Sequence, residues 1–294
     1  MYVIFGASGK VGRSTAAALG NGGRKVRAVV RSAAQGEALA RLGCEVAIAD
    51  LGDEGCVRRA LEGAQAVQML CPVPYGAADP VTQMRHTIAT AARALGDHPH
   101  LHVLALSDYG AELAAGTGIT MLYHEMEAKF REVAPRLTLL RSAEHMQNWA
   151  RVLPDAMSSG RLPTLHDPID RRFPTVSAGD VGIVAAQLLL DGPVTDRVRI
   201  VSVEAARRYS ADDAARALGE VCRRDIGAYA LPRGEWSATL LQAGINPDMA
   251  DLIIETNDAQ NGGRIDAQPG TERRFGQTGL RDVLAELVAS AVAR

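Results

Sequence analysis

The chain has 294 residues, enough to bury a full core as one large domain or a main domain with a smaller partner. Its 32 basic and 34 acidic residues nearly cancel to a net charge of -2, and its arginine pairs are scattered, so nothing in the charge pattern predicts a direct nucleic-acid partner. Four isolated cysteines without a CxxC pair, no signal-like opening and no apolar run of membrane length argue against a disulfide framework, a zinc site or a membrane span, and predict a cytoplasmic protein.

The first predicted strand, YVIF (2–5), is a short apolar run of the kind buried in parallel sheets, and GASGKVG follows it directly. A helix is expected from VGRSTAAALG, closed by the NGG at 21–23. KVRAVVR (25–31), CEVAIAD (44–50), AQAVQMLCP (64–72) and HLHVLALS (100–107) are the next strands. Helical patterns separate them at EALARLG, at EGCVRRALEG and from about Val81 to Leu95. Strands alternating with helices force parallel pairing through right-handed crossovers, so the expected fold is α/β with a doubly wound parallel sheet.

In such a sheet the first glycine turn receives a dinucleotide pyrophosphate, because glycines admit phosphate close to the backbone and the next helix offers N–H donors. The spacing here is G-x-x-G-x-x-G, and Gly6, Ser8, Gly9, Lys10, Val11 and Gly12 form the expected cradle. A nucleoside-triphosphate loop is excluded, since Lys10 is followed by Val11 rather than Ser or Thr. The second strand ends in Arg31 and Ser32, with no carboxylate to hold a ribose 2'-hydroxyl. A guanidinium there can grip a 2'-phosphate, which predicts NADP(H) over NAD(H); a solvated strand end is the alternative. Asp50 and Leu51 follow the third strand on the adenine side, where Asp50 is equally suited to cap the next segment. Cys71 and Pro72 close the fourth strand and Ser107 the fifth, all three beside the expected cofactor. Cys71 is either redox-sensitive or buried and inert. The alternating histidines of HPHLH (98–102) lack a carboxylate or cysteine and predict no metal site.

Past the fifth strand, RLTLLRSAEHMQNW (136–149), RRFPTVSAGDVGIVAAQLLLDG (171–192) and YSADDAARALGEVCRR (209–224) appear in that order. Together with GASGKVG they resemble the NmrA-like proteins, an atypical group of short-chain dehydrogenase/reductases, over nearly the whole chain. The resemblance implies a Rossmann domain at 1–150, completed by about 175–203, with a smaller substrate-side α/β lobe from 151–174 and 204–294. It also implies a cleft between them for a small-molecule acceptor. Ser142 stands where the family usually has proline, in the run that continues through His145, Met146 and Asn148. Quinone reductases, isoflavone-type reductases and NADP-binding redox sensors all belong to the group. An NADPH-dependent reductase is therefore expected, with an NADP(H)-sensing regulator that binds a protein partner as the alternative.

The helix carrying YHEMEAKF (123–130) bears on the chemistry. Ordinary short-chain dehydrogenases pair a tyrosine with a lysine four residues on, but Tyr123 has Glu127 there, a carboxylate that would raise a phenol pKa. Lys129 falls about 120° around the helix at about 100° per residue, so it is expected to pair with Glu125 instead. The conventional catalytic pair is absent. His124 and Tyr109 are the candidate acids, against the plainer readings of a histidine bonded to a carbonyl or carboxylate and a tyrosine that packs. Downstream, Ser210 and Asp213 have capping-box spacing, and Leu280, Val283, Leu284, Leu287, Val288 and Ala291 share one face of a closing helix. The stretch NDAQNGGRIDAQPGTE (257–272) is a loop, either mobile and near the cleft or a surface connection.

Overall fold

A computed structural model describes residues 1–194 and 198–292. Five βα units open the chain: β1 (Tyr2–Phe5) and α1 (Lys10–Asn21), β2 (Val26–Val30) and α2 (Ala33–Arg41), β3 (Glu45–Ile48) and α3 (Glu54–Leu61), β4 (Ala66–Met69) and α4 (Pro80–Gly96), β5 (His102–Asp108) and α5 (Thr120–Val133). Each predicted strand forms, shorter than its apolar run where the ends leave the sheet. Then come β6 (Leu137–Ser142), β7 (Glu144–His145), α6 (Leu153–Ser159), β8 (Arg161–Thr164), β9 (Thr175–Val176), α7 (Ala178–Asp191) and β10 (Val198–Ala205). The chain closes with α8 (Ala211–Cys222), β11 (Gly227–Ala230), α9 (Trp236–Gln242), α10 (Pro247–Asn261), β12 (Glu272–Gly276) and α11 (Leu280–Val292).

The central sheet has eight strands in the order β12-β10-β6-β5-β4-β1-β2-β3, and every pairing in it is parallel. The order reverses between β1 and β4, which opens a crevice at the carboxyl edge of the sheet. Alternation along β1 explains the two layers around it. Tyr2 and Ile4 enter the core under α1 and α7, whereas Val3 and Phe5 enter the core under α3, α4 and α5. A third core, holding Trp149, Leu153, Leu218 and Leu284, packs α6, α8 and α11 together. The capping box is present, with Ser210 Oγ accepting from the Asp213 N–H and the Asp213 carboxylate accepting from the Ser210 N–H.

The last strand of the central sheet comes from late in the chain. β12 lies inside the segment expected for the smaller lobe, yet it pairs with β10 from Val201↔Glu272 to Ala205↔Gly276 as the sheet's last strand. Its charged run ERRFG hides the strand pattern, because an edge strand can turn its polar side chains to solvent. The 257–272 stretch is also more ordered than a loop: its first five residues finish α10, and Asn257, Gln260 and Ile265 line the cleft. No helix among the described residues is long and apolar enough to cross a membrane.

Candidate active site

The cleft has a volume of about 480 Å³ and runs from the β1 turn, past the ends of β5 and β6, to α10. At its first end lie Gly6, Gly9, Lys10, Val11 and Gly12. Gly6 has φ +71°, a conformation side chains resist, and a Cβ on Gly12 would strike the Gly6 carbonyl. The turn thus seats α1 hard against β1. Gly9 caps that helix in extended conformation without a side-chain bond, and no acidic residue stands in the first turn. The leading N–H groups of α1 are left for an anion, and Ser8 is exposed beside them. This arrangement fits a dinucleotide pyrophosphate.

Arg31 leaves the end of β2 with its side chain exposed, while its backbone N–H donates to Gln35 Oε1 at 3.1 Å. Asp50 is not a helix cap: Asp53 caps α3, and Asp50 Oδ1 accepts from the Gly52 N–H at 2.8 Å, shaping the turn after β3. Leu51 is half-buried against the core on that side. Cys71 is wholly buried, and burial pushes its thiol up to about 12, so it is inert and offers a ligand no side chain. Pro72 beside it is exposed. Ser107 lines the cleft, but its hydroxyl donates to Glu127 Oε1 at 2.7 Å.

The two candidate acids do not fit that role. His124 is not among the cleft residues, and its Nδ1 sits 2.9 Å from the Ala111 carbonyl oxygen. It is Tyr123, one position earlier, that the helix turns inward. Tyr109 borders the cleft with its ring 1% exposed and its hydroxyl unbonded among the described residues. Burial, then the Glu204 carboxylate, pushes that phenol up, which makes it a poor proton donor.

The expected Glu125–Lys129 pair is also absent. Glu125 takes Arg85 of α4 through two bonds of 2.7 and 2.8 Å, and Lys129 turns to Glu132 at 3.3 Å. A forked guanidinium from a neighbouring helix outbids a flexible ammonium on the same one. Glu127 is likewise turned away from Tyr123. It is buried, and Arg141 donates to it from Nε at 2.7 Å and Nη2 at 2.6 Å. Arg141 also reaches Glu112 at 3.0 Å and Gln268 at 2.5 Å, tying β6 and α5 to the segment before β12. The Tyr123 phenol is raised well above its ordinary value by desolvation first and then by Asp108, Tyr75 and Cys71. It is a neutral hydrogen-bond donor, and Glu127 is not what makes it so.

The second end of the cleft brings together groups that the sequence reading gave no role. Asp108, at the end of β5, and Glu144, in β7, both line it. Glu144 is surrounded by donors: Gln260 at 3.0 Å, Asn148 at 3.3 Å and His166 Nε2 at 3.4 Å. Burial alone would raise its pKa, but His166 leads the groups that more than offset it and hold the carboxyl down at about 2. Asp108 has no such shell. Desolvation, partly opposed by the Tyr109 N–H and assisted by Glu144, pushes it up to about 7. His145 stands next to Glu144 and is held down to about 4 by desolvation, so it is neutral. Among the described residues no cluster of histidine, cysteine and carboxylate could hold a metal ion.

The sequence profile of the NmrA-like family matches residues 2–275. Quinone oxidoreductase 2 of Escherichia coli (strain K12) is 24% identical over 272 residues, which is 90% of each chain. The (4-alkanoyl-5-oxo-2,5-dihydrofuran-3-yl)methyl phosphate reductase of Streptomyces griseus subsp. griseus is 28% identical over 267 residues, 90% of this chain and 88% of that one. The structure of Citrobacter sp. triphenylmethane reductase complexed with NADP(H) superposes with a TM-score of 0.78 at 18% identity, covering 98% of this chain and 100% of the other.

Proposed function

Because the chain belongs to the NmrA-like family, its cleft is read within that family, and we propose that it is an NADP(H)-dependent oxidoreductase that reduces a small electrophilic acceptor such as a quinone. The observation that carries this reading is the β1 turn, where an uncapped helix opens on a glycine cradle at one end of a continuous cleft. Backbone N–H groups of Lys10 through Gly12 hold the pyrophosphate, and the Lys10 side chain adds a positive charge beside it. Arg31 grips the 2'-phosphate, with Asp50 and Leu51 on the adenine side. When bound, NADPH would supply the hydride.

What the protein contributes there is position and exclusion of water. The ends of β5 and β6 form the floor, Tyr123 offers an un-ionised hydroxyl, and Ile253, Thr256 and Ile265 cover the opposite side. A quinone suits such a site, because its reduced form spreads negative charge over a ring. Chemistry of this kind works without a tyrosine-lysine pair. Four free cysteines suit a reducing cytoplasm.

Titration calorimetry with NADPH and NADH, followed by acceptor-dependent oxidation of NADPH, tests the reading. NADPH is expected to bind more tightly, and Arg31→Ala to weaken it by about 10- to 100-fold, the worth of about 1.5–3 kcal/mol for a charged hydrogen bond. NADH affinity should stay as it was. Equal affinities, unmoved by Arg31→Ala, would contradict the cofactor assignment. Tight NADPH binding without oxidation by any quinone, enone or aldehyde would leave the alternative, a binding protein that senses the cofactor.

A further inference from the structure

The cleft holds two carboxyls in opposite surroundings, and such a contrast separates an acid from a base or a fixed charge. Glu144 meets Gln260, Asn148 and His166, all of which stabilise a carboxylate. For Asp108 the described structure provides one donor, the Tyr109 N–H, 3.0 Å from Oδ1. The acidic groups around it are a carboxyl, two phenols and a thiol. Tyr123 approaches from α5, with Tyr75 and Cys71 of the β4 exit beyond it, and Glu144 approaches from β7. From β6, the residue in register is the uncharged Ser142, whose hydroxyl lies 3.3 Å from Nε2 of the neutral His145. Arg141, in the neighbouring strand β6, is already shared among Glu127, Glu112 and Gln268, and Arg151, which also lines the cleft, sits over the Tyr75 ring at 5.2 Å.

We propose that Asp108 is the proton donor of the reduction, and that the acceptors it serves are conjugated carbonyl compounds, quinones and enones, whose oxygen must gain a proton as the ring or double bond gains a hydride. The inference rests on the reductase reading above. Hydride adds to the acceptor's electrophilic carbon, and the displaced π pair comes to rest on its oxygen. The O–H bond of Asp108 then breaks as a new O–H forms on the product, leaving Asp108 a carboxylate that regains its proton from water. The dinucleotide is the reductant and the acceptor the oxidant, so charge and electrons balance. The neighbouring fixed carboxylate at Glu144 disfavours a charged Asp108 and so keeps the proton on it, available when the acceptor oxygen develops charge. Burial and that neighbour set the Asp108 carboxyl at about 7, poised to donate near neutrality.

Asp108→Asn is the test, since the amide oxygen can still accept from Tyr109. Infrared difference spectra of the cofactor-free protein, taken on the acid side of about pH 7, should show a protonated carboxyl carbonyl stretch that the variant lacks. In turnover, the variant should lose about 100-fold or more in kcat with quinone and enone acceptors while NADPH affinity holds. The limb of the wild-type pH profile near that value should vanish with it. His124→Ala, outside the cleft, should retain both the band and the rate. An ionised Asp108 on the acid side of its transition, or an Asp108→Asn variant with wild-type kcat, overturns the assignment. If the band is present but the wild type oxidises NADPH with no acceptor, the reductase reading itself fails and the donor's role goes with it.

Discussion

The two ends of the cleft are built in different ways. The proposed cofactor end comes from one contiguous turn, Gly6 to Gly12, and it rests on backbone shape: a glycine at positive φ, a helix start without a side-chain cap, and a second glycine where no Cβ fits. The acceptor end is assembled from β5, α5, β7 and α10, and it works through side chains whose properties depend on one another. A backbone site tolerates little change at a few positions. A side-chain site spreads its dependence over distant residues, and one exchange can alter chemistry while leaving the fold intact.

Gly12→Val should break the first end outright. Its side chain strikes the Gly6 carbonyl and pushes α1 off β1, so NADPH binding should fall below detection in calorimetry, with about 1–3 kcal/mol of overpacking cost besides. Retained affinity would show that the cradle is looser than this account requires. Arg141→Met tests the second end, because it leaves the buried Glu127 carboxylate without its fork and unties Gln268. Denaturant unfolding should report a loss of about 3–5 kcal/mol.

Asp108→Asn should be gentler, and its effect on stability should depend on pH. In the fold its carboxyl sits at about 7 against an ordinary 3.8, so between those values the folded chain holds a proton the unfolded chain has released. Asp108 therefore makes the wild type lose stability as pH rises through that window. The variant is free of this penalty, so its melting temperature should gain on the wild type across the same window. Parallel pH curves would contradict the raised carboxyl. His124→Ala should have the smallest effect, about 1 kcal/mol for its single bond to Ala111, with turnover unchanged.

The same contrast governs what the sequence discloses. The sheet was legible because βα alternation and short apolar runs dictate it, and the glycine turn because its signal lies within seven adjacent letters. β12 escaped because an edge strand need not be apolar. At the acceptor end, helix arithmetic correctly denied Tyr123 a lysine but could not see that Arg85, from another helix, takes Glu125. Nor could it show which face of α5 meets the cleft, so His124 stood in for Tyr123. Asp108 was visible as a carboxyl at a strand's carboxyl end, which was the available clue. Its acidity depends on Glu144 and on desolvation, and both exist only once β7 and α10 close over it.

In single-turnover stopped-flow the protein is preloaded with NADPH, mixed with excess quinone, and followed by the absorbance of the reduced nicotinamide. A rapid, complete loss of that absorbance is expected, absent when Gly12→Val replaces the wild type. Full occupancy by NADPH with no absorbance change on mixing would contradict the reductase reading.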